Sequence, residues 1–542
     1  MIMKIFNRIR IVSACILISI VSLSGCQKDL LDQQPLTDLA EGSFWSSEGD
    51  AMLALTGIYN GSSVGNLSPG NELLILASMT DDSDYKNSKV GNIYSGYLVS
   101  SDGQVAGSIW QRGYRTIFKV NYFLANIDKV KMDAAKKAGL IAEAKFLRAF
   151  EYQQLAMFYG GVPLVKKVLT VDESNSQVRA TLAEVSDFAK AELVAAAKDL
   201  PAVRPASEKG RILKAGALAV KGRLELMGKN WADAVKTYKE IIDLNVHIID
   251  PKYKSIFEES GENSKENILI TNHLAGLYGN SKNQLNYHPD AYGGYQEDGA
   301  YEELVNSFLM NDGMPIETSP LYNPANPFEN RDPRLYASIF LPGYTVFRGV
   351  KFTLANSGIG KLVGATGYGW KKYVTESYAG AFNSSGDDVI HLRYAEVLLS
   401  YLEAKLENNE AITQTLLDET INKVRGRAEV KMPNVTQTNP ALLREIIRRE
   451  RRVEFCLERD IRYMDIRRWG IWFDVMEQQF HGMKLTDDPA NYTASKVELT
   501  GKYKGHLMTI NKKGSHKRGW ALLPIPLTEM QLNSKLTQNP DY

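Results

Sequence analysis

Cysteine is nearly absent from this chain of 542 residues, which contains only three. We expect Cys15 to be lost with an N-terminal processing segment and Cys26 to be modified, which leaves Cys456 as the single free thiol of the mature chain. One thiol can neither close an intramolecular disulfide nor form a cysteine metal cluster. At this length a hydrophobic core can stabilise the fold without such cross-links.

An excess of charge of either sign is also absent. The 64 lysine and arginine residues nearly balance the 63 aspartate and glutamate residues, which gives a formal net charge of +1. Proteins that bind nucleic acids usually carry a clear basic excess on the surface that contacts the phosphates. The composition therefore argues against a nucleic-acid partner.

Long apolar runs are missing as well, apart from one short run near the N-terminus. Residues 11–23 are mostly apolar, and they follow three basic residues, Lys4, Arg8 and Arg10. The run is too short to span a hydrocarbon core of ~30 Å as a helix, which favours a signal peptide over a transmembrane anchor. It ends in Leu23-Ser24-Gly25-Cys26, which is typical of a bacterial lipobox.

We therefore predict that residues 1–25 are a lipoprotein signal peptide and that Cys26 carries the lipid. The chemistry requires a thiol, because its sulfur takes the diacylglycerol and cleavage frees the Cys26 amine for a further acyl chain. Two or more acyl chains give stable anchoring, whereas one gives marginal membrane binding. The alternative is ordinary secretion with a cysteine that happens to follow the cleavage site.

The clearest periodic pattern predicts a pair of helices at 213–227 and 231–242. Apolar residues of the first recur with the 3.6-residue period of a helix, at Leu213, Ala217, Val220, Leu224 and Met227. A Gly-Lys-Asn turn separates it from the second, which begins Trp231-x-x-Ala234-x-x-x-Tyr238. This arrangement closely resembles a tetratricopeptide unit, in which small residues let two antiparallel helices approach.

Weaker helical patterns flank this unit, and long insertions separate them. The patterns lie at 142–159, at 394–401 with a partner helix at 417–428, and at 442–456. The insertions lie at 61–107, 272–302 and 312–383, and the first two combine tyrosine with Ser, Gly, Asn and Asp. Long loops inside a compact protein are usually functional or disordered, and abundant aromatic residues argue against disorder.

A series of short motifs runs along nearly the whole mature chain. They are Phe44-Trp45, Phe146-Leu147-Arg148-Ala149-Phe150, Tyr159-Gly160-Gly161-Val162-Pro163-Leu164, Arg393-Tyr394-Ala395-Glu396, Arg425-Gly426-Arg427-Ala428, Glu450-Arg451-Arg452-Val453-Glu454-Phe455, Arg462-Tyr463-Met464-Asp465-Ile466-Arg467-Arg468-Trp469, Leu523-Pro524-Ile525-Pro526 and Gln538-Asn539-Pro540-Asp541-Tyr542. In this order they closely resemble the SusD/RagB family of Bacteroidetes outer-membrane lipoproteins.

The resemblance implies a mainly α-helical fold over 26–542, with tetratricopeptide-like helix pairs and long irregular insertions that carry the ligand site. It places an N-terminal SusD-like part at 26–230 and a C-terminal RagB/SusD part at 231–542, with inserted loops at 272–390. It also implies a surface protein that binds a glycan and delivers it to a SusC-type TonB-dependent transporter, without a cofactor and without catalysis. The alternative is a lipid-anchored lid or docking subunit of such a transporter for a non-sugar ligand such as a peptide.

Sugar recognition in water uses flat aromatic faces against C–H groups and amide or carboxylate groups against hydroxyls. The family forms its platform from the two tyrosine-rich insertions. The candidate ligand-binding residues carried over by position are Tyr85, Asn87, Tyr278, Tyr292 and Tyr295, with Trp370 as a further candidate. Family platforms often use tryptophan, which both insertions lack, and this departure leaves the ligand open. The competing interpretation is that these tyrosines pack against the scaffold.

Two charged segments suggest other functions. Residues 444–468 contain nine arginines and six acidic residues, and the interleaved signs predict a partly buried helix with ion pairs rather than a nucleic-acid patch. Asp81, Asp82 and Asp84 could ligate calcium, but they lack the glycine and the distal glutamate of an EF-hand, so we expect a solvated loop.

No sequence context marks the opposed carboxylates of a glycosidase.

Overall fold

The computed structural model of the chain describes residues 44–64, 79–85, 105–281, 283–289, 292–296, 298–352, 366–485, 498, 500–508 and 516–542. Cys26 and Asn87, like the predicted signal peptide, lie outside these residues. Within them the architecture is mainly α-helical, as predicted, and the strands are short.

Helices carry most of the fold. They are α1 (Glu48–Gly61), α2 (Val105–Asn126), α3 (Ala134–Tyr159), α4 (Val171–Ser174), α5 (Leu182–Asp199), α6 (Lys214–Met227), α7 (Trp231–Asp243), α8 (Asn283–Tyr287), α9 (Glu302–Ser307), α10 (Pro333–Ser338), α11 (Tyr394–Glu407), α12 (Gln414–Glu419), α13 (Ile421–Arg425), α14 (Pro440–Glu454), α15 (Ile461–Arg468), α16 (Trp472–Met476) and α17 (Leu527–Leu532). Short 3₁₀ turns lie at Ile127–Lys129, Ala206–Glu208, Ser255–Phe257, Glu259–Gly261 and Arg518–Ala521.

The longer helices form a row in which each packs against the next. The order is α1, α2, α3, α5, α6, α7, α11 and α14. Helix α7 packs against α11, although residues 244–393 separate them in the sequence. Helices that are distant in the chain therefore share one hydrophobic core. The row is the scaffold on which the insertions rest.

The tetratricopeptide-like pair is present as predicted. Helices α6 and α7 are joined at Gly228-Lys229-Asn230, where Lys229 takes a left-handed conformation with φ 57°. Gly222 faces the buried Tyr238 ring so closely that a Cβ there would lie 2.5 Å from Tyr238 Cζ. The absence of a side chain at Gly222 therefore allows the two helices to approach.

The helix predicted at 417–428 is wrong in one respect, because the chain forms two short helices there. The break between α12 and α13 lies at Thr420, whose φ of −122° and ψ of −97° are not helical. The Thr420 hydroxyl donates a hydrogen bond to the Leu416 carbonyl at 2.6 Å. A threonine side chain that bonds the backbone in this way competes with regular helix formation.

Strands pair only in twos within the described residues. They are β1 (Ser83–Tyr85) with β3 (Asp298–Ala300), β2 (Asn267–Thr271) with β8 (Val389–Arg393), β4 (Ile339–Phe340) with β7 (Gly369–Trp370), β5 (Val346–Phe347) with β6 (Val350–Lys351), and β9 (His481–Lys484) with β10 (His506–Met508), all antiparallel. In the part of the chain that the structure covers, no helix combines the length and apolarity needed to cross a bilayer.

The charged helix α14 lies against the scaffold and is more deeply buried than predicted. Its Glu450, Arg451 and Glu454 are almost fully buried. Arg451 pairs with Asp465 of α15 at 2.7 Å, and Arg468 pairs with Glu403 of α11 at 2.6 Å. The prediction that these arginines form ion pairs is confirmed.

Candidate functional site

The two tyrosine-rich insertions meet in the folded protein. Strand β1 from the first pairs with β3 from the second, and Tyr85 lies opposite Asp298 in the register. The Tyr301 backbone N–H also donates to the Asp82 carbonyl at 3.0 Å. Antiparallel pairing therefore brings together regions separated by about two hundred residues in the sequence, as a shared ligand site requires.

The aspartates that precede Tyr85 do not form the expected solvated loop. Asp81 and Asp82 are buried, and their carboxylates accept hydrogen bonds from Arg462 and Arg452 at 2.7 Å. Burial raises the pKa of Asp81, but the two guanidinium groups outweigh it and hold that pKa below its usual value. These carboxylates anchor the first insertion to α14 and α15 through Arg452 and Arg462.

A cavity beside these insertions contains Tyr278. It has a volume of about 410 Å³ and lies between α1, the turn at 209–211 and the end of β2. Its lining is Met52, Leu55, Thr56, Tyr59, Asn60, Val64, Lys209, Gly210, Arg211, Ile270, Thr271, Asn272 and Tyr278. The size lies within the range of small-molecule sites.

Tyr278 has the geometry of an aromatic platform. Its side chain is 42% exposed, and one ring face stacks on His273 with centroids 5.4 Å apart and planes 10° from parallel. Its hydroxyl lies 3.3 Å from Asn60 Oδ1, which restricts rotation of the ring. Partial burial raises the pKa of the Tyr278 hydroxyl, so it remains a neutral donor.

Polar groups that suit sugar hydroxyls surround this ring. Asn272 donates to the Lys209 carbonyl at 2.6 Å, which holds its amide at the cavity wall. The Lys209 ammonium pairs with Asp388 at 2.9 Å and Glu262 at 3.0 Å, so the cavity carries little net charge. An aromatic face, fixed amides and a balanced charge suit a neutral, hydroxylated ligand.

The other two candidate tyrosines of the second insertion, Tyr292 and Tyr295, do not line this cavity. Tyr292 is half-buried, packs edge-on against Phe347 at 5.6 Å, and lies 4.9 Å below the Arg348 guanidinium. Tyr295 is 53% exposed and is held through its backbone N–H by the Leu285 carbonyl. Tyr292 thus packs partly against scaffold, whereas Tyr295 keeps most of its ring free for a ligand.

Trp370 must be withdrawn from the candidates. Its side chain is 0% exposed, and its indole N–H donates to the Ser83 hydroxyl at 2.9 Å. The residue lies in β7, opposite Ile339 of β4, and it fills the core beneath the first insertion. A ligand could reach this ring only if the core opened.

Tyr85 lies in β1, and its side chain and all of Asn87 are outside the described residues.

Sequence reasoning missed most of the cavity wall. Tyr59 and Asn60 come from a helix that ends just before the first insertion, and Lys209 and Asn272 flank unrelated elements. None of them belongs to a motif, and no spacing connects them. A tertiary contact alone makes them neighbours of Tyr278.

Two family models match different parts of the chain. A family described as "SusD family" matches residues 254–542, and one described as "Starch-binding associating with outer membrane" matches residues 54–226. The chain is 23% identical to SusD-like protein P25 of Formosa agariphila, over 96% of both chains.

Two solved structures of SusD-like proteins resemble the fold of this chain. A SusD-like carbohydrate-binding protein of Bacteroides fragilis is 34% identical with a TM-score of 0.84, over 91% of this chain and 100% of that one. A second SusD-like protein of the same species is 28% identical with a TM-score of 0.78, over 94% and 100%.

Proposed function

This chain belongs to the SusD family, and we propose that it is a cell-surface lipoprotein that binds a glycan and delivers it to a SusC-type TonB-dependent transporter of the outer membrane. The observation that carries the binding step is the half-exposed Tyr278 ring, fixed by His273 and Asn60 at a cavity of about 410 Å³. The 34% identical relative, which is described as carbohydrate-binding, supports the same step.

The location follows from two further observations. The family that matches residues 54–226 is described as associating with the outer membrane, and the lipobox ending in Cys26 offers the anchor. Delivery to a transporter, and not hydrolysis, is the role that we assign to the bound glycan. Incubation with a bound glycan should leave its chain length unchanged.

The binding step is tested by calorimetry of the mature protein against a panel of polysaccharides and oligosaccharides. For the glycan that binds, Tyr278→Ala should weaken affinity by about tenfold or more, equivalent to ~1.4 kcal/mol, because the ring supplies the stacking face. Phe118→Ala is the matched control, since Phe118 is a 52% exposed aromatic on the scaffold helix α2. It should leave glycan affinity unchanged.

Tight binding of a peptide, with no binding of any glycan, would replace this function by the alternative of a transporter lid for a non-sugar ligand. The transporter step has its own test. Affinity purification from solubilised outer membranes should recover a large β-barrel protein with the chain. Recovery of the chain without such a protein contradicts the delivery step and leaves the glycan step standing.

A further inference from the structure

A second cavity lies on the face of α14, and it shares no lining residue with the Tyr278 cavity. It has a volume of about 270 Å³ and is enclosed by α14, the segment 433–437 and the segment 307–313. Six of its sixteen lining residues are charged, three arginines and three acidic residues, Arg334, Arg425, Arg449, Asp312, Asp332 and Glu450.

The acidic groups of this wall are all engaged. Glu450 accepts hydrogen bonds from Arg334 at 2.6 Å and from Arg425 at 2.7 Å, one on each oxygen. Both oxygens of Asp332 accept from Arg334. Asp312 accepts from the Met314 backbone N–H and the Ser319 hydroxyl. No acceptor on these three carboxylates is left without a donor.

The arginines of the wall retain free donors. Arg425 is buried and uses Nε on the Pro433 carbonyl and Nη1 on Glu450, which leaves its Nη2 without an acceptor among the described residues. Arg449 is half-buried and makes no hydrogen bond or close ion pair within the described residues. Its charge interacts at longer range with the Glu317 carboxylate, which pairs with Lys502 at 3.1 Å. A buried or half-buried guanidinium is normally paired.

Neutral donors border the same opening. The side chains of Asn434 and Thr436 make no hydrogen bond to the described residues, and both are exposed at the cavity mouth. The cavity therefore offers two guanidinium groups, a hydroxyl and an amide, while its own carboxylates are saturated. This asymmetry favours a ligand that accepts hydrogen bonds and carries negative charge.

We propose that this cavity is an oxyanion site that takes the carboxylate or sulfate group of an acidic sugar, with Arg449 and Arg425 as its cationic contacts. The proposal rests on the proposed function in taking a sugar as the ligand. Planar guanidinium groups suit such anions because they can donate two parallel hydrogen bonds. The volume lies just below the range of drug-sized sites, which suits a single sugar ring.

The test uses calorimetry of the mature protein at low ionic strength, where surface charges are least screened, in a buffer without sulfate or phosphate. The probes are D-glucuronate, D-glucose 6-sulfate and neutral D-glucose. At least one of the two anions should bind, its affinity should fall with added salt, and D-glucose should bind at least tenfold more weakly. The stronger anion identifies the acidic group.

Two variants of α14 complete the test. Arg449→Met should weaken anion binding at least fivefold without changing the melting temperature, because Arg449 makes no hydrogen bond or close ion pair within the described chain. Arg448→Met removes the same charge from the adjacent residue. Arg448 lies 3.3 Å from Glu445 and 5.0 Å from the Trp469 ring, outside the cavity lining. It should bind the anion like the wild type.

The proposal is overturned if neither anion binds, or if Arg449→Met binds as tightly as the wild type. Tighter binding of an acidic peptide than of both sugars at the same site would also overturn it, in favour of a protein partner. Its failure is distinguishable from failure of the proposed function, because the Tyr278→Ala experiment measures the other cavity. Loss of the Arg449-dependent anion signal leaves glycan binding at Tyr278 unaffected.

Discussion

Glu454 shows how strongly one residue can be constrained in this fold. It is completely buried at the end of α14, and its two oxygens accept hydrogen bonds from Arg334, Arg393 and Arg427 at 2.6–2.8 Å. Burial raises the pKa of Glu454, but the three guanidinium groups outweigh it and hold the pKa well below its usual value. The arginines come from three separate segments, so this carboxylate joins them.

Replacing Glu454 should therefore be severe. Glu454→Gln is expected to lower the free energy of unfolding by about 3–5 kcal/mol, because it removes one negative charge that three buried arginines share. Urea denaturation followed by circular dichroism measures the change. Glu445→Gln on the same helix removes an exposed partner of Arg448 and should cost less than about 1 kcal/mol. Equal losses in the two variants would contradict this view of Glu454.

At the scale of elements, the approach of α6 and α7 depends on one glycine. Gly222 faces the Tyr238 ring, which is buried. Small residues at such crossings are what the tetratricopeptide pattern requires. The tetratricopeptide pattern thus has a local physical cause, the close contact between Gly222 and the Tyr238 ring.

Gly222→Ala should destabilise the protein by about 1–3 kcal/mol, because the new methyl group overlaps the ring. Gly216→Ala is the matched control on the same helix, since its Cβ would lie 3.8 Å from the nearest atom, on Ile212. It should be neutral or stabilise by up to about 1 kcal/mol through the higher helix propensity of alanine. Thermal unfolding compares the two, and a destabilisation of the same size in both would contradict a specific role for the contact between Gly222 and Tyr238.

At the scale of the whole molecule, buried ion pairs connect the helical row to the insertions. Arg393 at the end of β8 pairs with Glu266 beside β2 and with Glu458 after α14. Arg452 and Arg462 connect the first insertion to α14 and α15. Buried carboxylates with lowered pKa values recur in this network, at Asp81, Glu403, Glu450, Glu454, Glu458 and Asp465.

This network predicts the stability of the protein as a function of pH. A carboxyl whose pKa is lower in the folded state contributes stability above its unfolded pKa of about 4, and loses it as the pH falls further. The melting temperature should therefore fall steeply below about pH 4. Asp387 acts in the opposite direction between about pH 4 and 6, because burial raises its pKa to about 6. Calorimetry from pH 7 to pH 3 measures both, and a flat profile below pH 4 would contradict the role of the network.

Lipidation of Cys26 is tested at the same scale. Cys26→Ala should release the protein from membranes into the soluble fraction and leave the melting temperature of the described body unchanged, because the substitution removes only the thiol that would accept the lipid. Cell fractionation followed by immunoblotting measures the release. A variant that stayed membrane-bound in cells lacking the transporter would contradict lipid anchoring.

The sequence predicted those features that depend on near neighbours. Spacing of apolar residues located the α6–α7 pair, α11 and α14, and the resemblance to the family indicated a mainly α-helical scaffold with two insertions at the site. The break at Thr420 was missed because the apolar stripe runs through it, and the backbone there follows a side-chain hydrogen bond rather than hydrophobic periodicity.

Only the tertiary structure decided which candidate residues are exposed at a cavity and which are buried in the core. Tyr278 and Trp370 are both aromatic residues in glycine-rich segments of the sequence. Tyr278 is half-exposed at a cavity, whereas Trp370 is buried against Ser83. Likewise, the sequence predicted that the arginines of 444–468 form ion pairs, but it did not predict their partners. In the structure Arg452 pairs with Asp82 and Arg462 pairs with Asp81. Periodicity along the chain is determined by sequence neighbours, whereas burial and ion pairing depend on contacts between residues hundreds of positions apart.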